Sequence, residues 1–300
     1  MKKILFLISF CIIQITAFAQ ITAREILKQK TEADLKGIIN SSPSLTGLMA
    51  IDLTSGETIG INSDLIFTQA SAIKIPILME VYKQAHEKKF GLTDIKPLMP
   101  INTVAGSGIL NVMTDPVNLS IRNYCMLMIG LSDNSATNML IELVGIKNVS
   151  NTMLSLGFSN TKLQRKMIDQ PASLRNEENI STPAEAAKIL KLLFDGKFID
   201  ATISSEIVSM LQKNPIENSK IAVGVPGNVK IAFKTGGMGG VSTEWAIVYL
   251  KNRPYAITVM ENYKTSATPS TLISSISKRV FDYYSMMKAT KYGVLLEINY

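Results

Sequence analysis

Ser71 and Lys74 stand three residues apart in the segment QASAIKIPIL, and a hydroxyl beside an amine is a pair that can carry out acyl transfer. If a helix starts at Ser71, both side chains leave one face, a turn apart. The hydroxyl then sits at the helix N-terminus, where the dipole favours developing negative charge. Pro76 is tolerable there because it lies near the helix start. A lysine acts as a base when desolvation or a neighbouring cation lowers its pKa, and an enzyme built on this chain needs a base of that kind. The only histidine is His86, in the charged stretch QAHEKK, which reads as a surface residue. A Ser-His-Asp hydrolase would depend on that one imidazole, and no G-x-S-x-G elbow occurs to partner it. Zinc sites want several His or Cys ligands, and the chain has one His and two Cys. Walker loops and dinucleotide glycine fingerprints are missing as well.

S-x-x-K alone says little, since it recurs at Ser159/Lys162, Ser275/Lys278 and Ser285/Lys288. Two further segments give it weight. Ser132-Asp133-Asn134 follows an apolar helical run in LMIGLSDNSATN, and Lys234-Thr235-Gly236-Gly237 ends a strand-like run in VKIAFKTGG. Singly, the first reads as a helix cap or turn and the second as a loop after a strand. In this order and spacing, S-x-x-K, S-D-N and K-T-G form the signature of class A β-lactamases and penicillin-binding proteins. The chain therefore resembles the class A β-lactamases and their penicillin-recognising relatives, over essentially all of its length past residue 19.

The resemblance implies a role for each residue. Ser71 would be the acylated nucleophile, Lys74 its proton acceptor or relay, and Ser132 the donor to the departing nitrogen. Asn134 would hold the substrate's side-chain amide, and Lys234 and Thr235 its carboxylate. The backbone N–H groups of Ser71 and Gly237 would form the oxyanion hole, where one lost donor typically costs about 3–4 kcal/mol. At Gly237 the missing Cβ would let backbone and substrate approach closely. A Lys74–Lys234 pair would depress both pKa values. Neither metal nor organic cofactor is implied.

One departure bears on turnover. Class A β-lactamases carry a water-activating glutamate, with an asparagine four residues later, in the loop before the helix that begins at Thr182-Pro183. Here that loop reads LQRKMIDQPASLRNEENISTP, without E-x-x-x-N. Counting back from Thr182-Pro183 puts Lys166 at the glutamate's place. Asp169 is the nearest carboxylate and the candidate deacylation base, with Glu177 and Glu178 further along. The expectation is efficient acylation with slow deacylation.

These residues need elements to hold them. Lys2 and Lys3, the apolar run Ile4 to Ile15 and Ala17-Phe18-Ala19 read as a signal peptide over 1–19, cleaved before Gln20. Its apolar run is too short for a comfortable membrane span, so an exported, periplasmic or secreted chain is expected. Cys11 raises a lipoprotein reading, against which the bulky Phe10 counts. Without the leader one cysteine is left, Cys125, read as a buried inert thiol.

Residues 22–40 read as a helix, Gly47–Leu53 and Glu57–Ile61 as strands about a turn at Thr54-Ser55-Gly56. From 71 to about 215 the pattern is mostly helical, including Ile121–Ile129, Ala136–Leu143 and Pro183–Phe194. Strands follow at 229–233, 244–250 and 255–261, then a closing helix over 270–287. The expected fold is α/β plus all-α, β-lactamase/transpeptidase-like: an antiparallel sheet flanked by helices, built from 20–68 and 216–300, with a helical domain (69–215) inserted and the site between them.

With 46% hydrophobic and 18% charged residues the chain is globular in composition. Its net charge of +7, or +5 without Lys2 and Lys3, comes from scattered lysines. No basic stripe with interleaved aromatics suggests nucleic acid; the mild positive field suits anionic small molecules or cell-wall polymer, and a solvated surface accounts for it equally. Expected partners are a small-molecule substrate, β-lactam or D-Ala-D-Ala-like, met by a monomer with no membrane span. Two alternatives share the residues: a D-alanyl-D-alanine peptidase, amidase or esterase, and a non-catalytic cell-wall binding module.

Overall fold

The computed structural model describes residues 22–290 and 292–294; the leader expected over 1–19 lies outside them. Thr22 opens the first helix, α1 (Ala23–Asn40), through a capping box in which Thr22 Oγ1 accepts from Glu25 N and the Glu25 carboxylate accepts from Thr22 N. Strands β1 (Leu45–Asp52) and β2 (Thr58–Ile61) follow, joined by the tight turn whose Gly56 adopts a φ of +80°. After the two-residue strand β3 (Phe67–Thr68), a 3-10 turn at Ala70–Ile73 runs directly into α2 (Lys74–His86).

The middle of the chain is largely helical. It holds the hairpin of β4 (Ile95–Leu98) and β5 (Val117–Ser120), then α3 (Ile121–Gly130), α4 (Asn134–Val144), α5 (Ile146–Ser155) and the short α6 (Gln170–Leu174). Next come β6 (Ile180–Ser181), α7 (Pro183–Phe194) and α8 (Ala201–Leu211). The chain ends in α9 (Lys220–Val223), β7 (Ile231–Met238), β8 (Val241–Val248), β9 (Tyr255–Asn262) and α10 (Leu272–Met286).

One five-stranded antiparallel sheet organises the molecule, in the order β2-β1-β9-β8-β7. Its strands alternate between two apolar cores. Ala246 and Val248 of β8 join Leu35, Ile276 and Val280 of α1 and α10 on one face. Trp245 and Ile247 join the core of the helical block on the other, with Ile75, Leu78, Met128 and Leu190. Both faces are covered, which explains why β8 and β9 read as nearly continuous apolar runs. β7 has a neighbour on one side only, so its other row of backbone groups faces the helical block.

Three sequence expectations shift. The α-helix begins at Lys74, not Ser71, because Ala70–Ile73 wind as a tighter 3-10 turn. Lys234 to Gly237 lie within β7 instead of closing it, since the register continues from Ile231↔Val248 to Met238↔Val241. The stretch read as wholly helical also contains the small β3–β6 and β4–β5 pairings. Strands of two to four residues are too short to show an alternation, and Pro97 inside β4 argues against a strand on sequence grounds.

Candidate active site

The turn that bears Ser71 is held from below by one buried amide. Gln69 donates through Nε2 to the Phe67 carbonyl (2.8 Å), and its Oε1 accepts from the Trp245 indole (2.9 Å). Its own carbonyl accepts from Thr243 Oγ1 and from Ala72 N, both at 2.9 Å. Ala70 is thereby kept at a φ of +43°, a conformation that costs an L-residue about 1–2 kcal/mol. Trp245 therefore does more than fill the core. Its single polar atom fixes the amide that shapes the turn bearing Ser71, a role the sequence did not reveal.

Across the cleft, Asp133 ties the S-D-N segment to its surroundings. Its carboxylate caps α4 by accepting from Ala136 N (2.8 Å). The same group accepts from Ile109 N (2.7 Å) and Leu110 N (2.9 Å). The loop so anchored carries Gly106 and Gly108, at φ +94° and +115°, and a Cβ at Gly108 would lie 2.2 Å from Asp133 Oδ2. The G-S-G triplet at 106–108 is the sequence's signal for this wall. Ser132 also sits at a left-handed φ of +52°. Such outliers gather where the surroundings over-determine them.

Between these walls the three motifs converge. Lys74 Nζ donates to the Ser132 carbonyl (2.7 Å), to Asn134 Oδ1 (3.0 Å) and lies 3.1 Å from Ser132 Oγ. Lys234 Nζ reaches the same Ser132 Oγ at 3.1 Å and donates to the Thr235 carbonyl at 3.0 Å. One hydroxyl is thus held between two amines. Both lysines are buried, and desolvation, followed by the charge of Lys234, drives Lys74 well below its usual range, against the pull of Asp133. Burial takes Lys234 down to about 8, opposed by Glu244. An amine in that condition accepts a proton near neutral pH, where an ordinary lysine does not.

Ser71, Ser107 and Gly237 are common to two adjoining hollows, of about 400 and 430 Å³. The first runs under the 165–179 loop past Asn134, Met167, Ile168, Asp169 and Met238; the second runs past Ser132, Asn214, Asn218, Lys234 and Thr235. The helix start places the Ser71 N–H among those with no partner in the helix itself, and Gly237 sits on the cleft-facing edge strand. The close-packed glycine is Gly236, not Gly237. A Cβ there would come 2.4 Å from the Gln69 carbonyl oxygen, whereas one at Gly237 would meet nothing within 4 Å.

Lys166 turns away from the cleft and pairs with Glu142 on the surface (2.6 Å). The residue presented inward beside it is Met167, whose backbone is clamped by Asn138, N to Oδ1 at 2.8 Å and O to Nδ2 at 3.1 Å. Asp169 lines the hollow, and its Oδ1 also caps α6 through Ala172 N (3.1 Å). The Arg165–Glu178 ion pair (2.8 Å) closes the loop's neck, and Asn179 bonds the Arg165 backbone from both ends. Neither Glu177 nor Glu178 lines either hollow. Glu177 is half-buried and pairs with Arg175. Cys125 is buried, and burial pushes its thiol up to about 12. His86 is exposed. Among the described residues no cluster of His, Cys, Asp and Glu is placed to hold a metal ion, and no helix is long and apolar enough to cross a membrane.

Comparison with known proteins agrees with this geometry. The sequence model of the β-lactamase enzyme family matches residues 30–284. An imipenem-hydrolysing β-lactamase of Enterobacter cloacae is 27% identical, over 94% of this chain and 97% of its own length. The β-lactamase SME-1 of Serratia marcescens is 26% identical, over 88% and 90%. Among solved structures, a β-lactamase from Sphaerobacter thermophilus superposes with a TM-score of 0.76 at 25% identity, covering 86% of this chain and 97% of that one. PBP-A superposes at 0.78 and 23% identity, over 85% and 96%, a likeness of fold. The fold is the β-lactamase/transpeptidase-like one, and the chain belongs to the β-lactamase enzyme family, as a member of class A.

Proposed function

We propose that this protein opens β-lactams by forming an ester with Ser71. The observation that carries the reading is the pair of buried amines on Ser132 Oγ, Lys74 and Lys234 each at 3.1 Å. Lys74, its pKa lowered by burial and by the charge of Lys234, takes the Ser71 proton as the hydroxyl attacks the lactam carbonyl. The tetrahedral oxyanion points at the N–H groups of Ser71 and Gly237, donors fixed before the reaction begins. The C–N bond breaks as Ser132 delivers a proton to the departing nitrogen, and Ser132 recovers one from Lys74. Lys234 and Thr235 hold the substrate carboxylate, and Asn134 holds the side-chain amide.

Asp169 is the one carboxylate among the residues lining the two hollows, and we assign it the activation of the deacylating water. Met167 occupies the inward position beside it and has no proton to exchange. Hydrolysis of the ester is therefore the slow half of the cycle. The relatives matched by sequence are named as β-lactamases, which does not favour the peptidase alternative. The proposal includes export to the periplasm or beyond through the leader read at 1–19, a monomeric chain, and a helical domain over 69–215. Intact mass spectrometry after mixing with penicillin G tests the chemistry. Ser71 gains one penicillin mass and loses it over time; no adduct and no nitrocefin hydrolysis would overturn the proposal.

A further inference from the structure

Behind the strand that carries Lys234 lies an ionisable cluster that acylation does not use. Glu244 on β8 stands directly across from Thr235 on β7, so both side chains leave the same face of the sheet. Lys234 leaves the opposite face one register step away. The Glu244 carboxylate is buried. It accepts from the backbone N–H of Lys220 (3.0 Å) and Ile221 (3.2 Å) and from the Ser219 hydroxyl. Ser219 Oγ accepts in turn from Ala222 N (2.9 Å). The carboxylate therefore fastens the segment 216–223 to the back of the sheet, and Asn218 of that segment lines the cleft beside Lys234 and Thr235.

Resting on the roles proposed for Lys234 and Thr235, we propose that Glu244 is a positioning residue for the anion-holding end of the cleft, fixing its wall and setting a buried carboxylate one register step behind Lys234. Other charges also face this pair. Lys220 donates to Ser242 Oγ at 2.9 Å, and Lys264 lies 3.7 Å from Glu261 on β9. On the cleft side Lys74 feels the charge of Lys234, and Asp133 acts in turn on Lys74. Burial lowers Lys234 to about 8, and the charge of Glu244 is what opposes that. Burial also lifts Glu244 to about 7, against its hydrogen bonds and Lys220. At pH 6 Glu244 is largely neutral and Lys234 keeps its proton unaided. Between pH 7 and 8 Glu244 ionises, in the interval where Lys234 would otherwise discharge.

The experiment is a pH series of KM and kcat for penicillin G, from pH 6 to 9, on wild type, Glu244→Gln and Ser219→Ala. The glutamine oxygen can still accept from the 220 and 221 N–H groups but carries no charge. KM for Glu244→Gln should match wild type within twofold at pH 6. The pH at which KM begins to climb should fall by about half to one unit, a three- to tenfold change in the Lys234 equilibrium. Ser219→Ala keeps the charge and should leave that bend in place, as should Glu244→Asp if the glutamine variant does not fold. The methyl ester of penicillin G, lacking the carboxylate, should show no bend in any variant. An unmoved bend in Glu244→Gln, or an equal shift in a variant that keeps the charge, overturns the assignment. Wild-type protein that penicillin never acylates would instead remove the proposed function.

Discussion

Replacing Gly236 with alanine probes how closely β7 must approach the turn that bears Ser71. The added Cβ would lie 2.4 Å from the Gln69 carbonyl oxygen, 2.6 Å from Thr243 Oγ1 and 2.9 Å from Ala72 N. Two of these are backbone atoms of the turn that contains Ser71, so no side-chain rotation relieves them. Cβ atoms essentially never come within 3.0 Å of another heavy atom, so strand and turn must separate by at least about 0.6 Å. Overpacking of that kind costs about 1–3 kcal/mol of stability. Because Lys234 and Gly237 ride on the same strand, the oxyanion and carboxylate sites proposed above move with it. A displacement approaching 1 Å costs on the order of a hundredfold in rate. Stopped-flow acylation by nitrocefin and thermal melting should both register the change. Gly237→Ala, with nothing within 4 Å, should melt like wild type. If Gly236→Ala acylates at the wild-type rate with an unchanged melting temperature, the argument that this contact sets the site is wrong.

Acylation of a carboxylate-bearing β-lactam should fall above about pH 8, where Lys234 loses its proton, while the lowered Lys74 keeps its base function at neutral pH; pH profiles of kcat/KM with penicillin G and with its methyl ester separate the two. Asp169→Asn preserves the cap on Ala172 N, since asparagine is an equally good N-cap, and should slow decay of the acyl-enzyme at least tenfold; decay at the wild-type rate would exonerate Asp169. Trp245→Phe strands the buried Gln69 Oε1 and should cost about 1–3 kcal/mol, read by chemical denaturation, together with slower acylation. Ala70→Gly relieves a left-handed alanine and should raise stability by about 1 kcal/mol while slowing acylation, because the turn loses its fixed shape.

The parts of this site that the sequence displayed are those whose chemistry depends on residue type. Ser71, Lys74, Ser132 and Lys234 could be named because few side chain types suit that chemistry, and the structure gathers Lys74 and Lys234 around the Ser132 hydroxyl with Ser71 lining the same cleft. Asn134 joins them through Lys74 and Thr235 through its carbonyl, which accepts from Lys234, whereas Gly237 lines the cleft. Long periodic elements were equally legible: Pro183–Phe194 is the helix α7, announced by Thr182 and the proline behind it. What stayed hidden was support from residues distant in the chain. Nothing local distinguishes Trp245 as a partner of Gln69, or Glu244 as a cap on α9, since each depends on a partner 23 or more residues away. Counting back to Lys166 went astray for a related reason. The loop's path is set by Asn138 and by the Arg165–Glu178 neck, and these turn Met167 inward and Lys166 out.

The order of strands in the sheet has a consequence for biogenesis. β1 lies between β2 and β9, and its long pairing from Leu45↔Asn262 to Asp52↔Tyr255 joins opposite ends of the chain. During synthesis the amino-terminal hairpin must wait for on the order of 200 residues before its neighbour exists, the kind of long-range closure that delays folding. Until β9 emerges, β8 and β7 have no scaffold to dock on, and Lys234 has nowhere to meet Ser132. A chain that stops short of β9 thus carries Ser71 without the sheet that sets Lys234 beside Ser132, and the cleft is complete only when the last strand closes the seam.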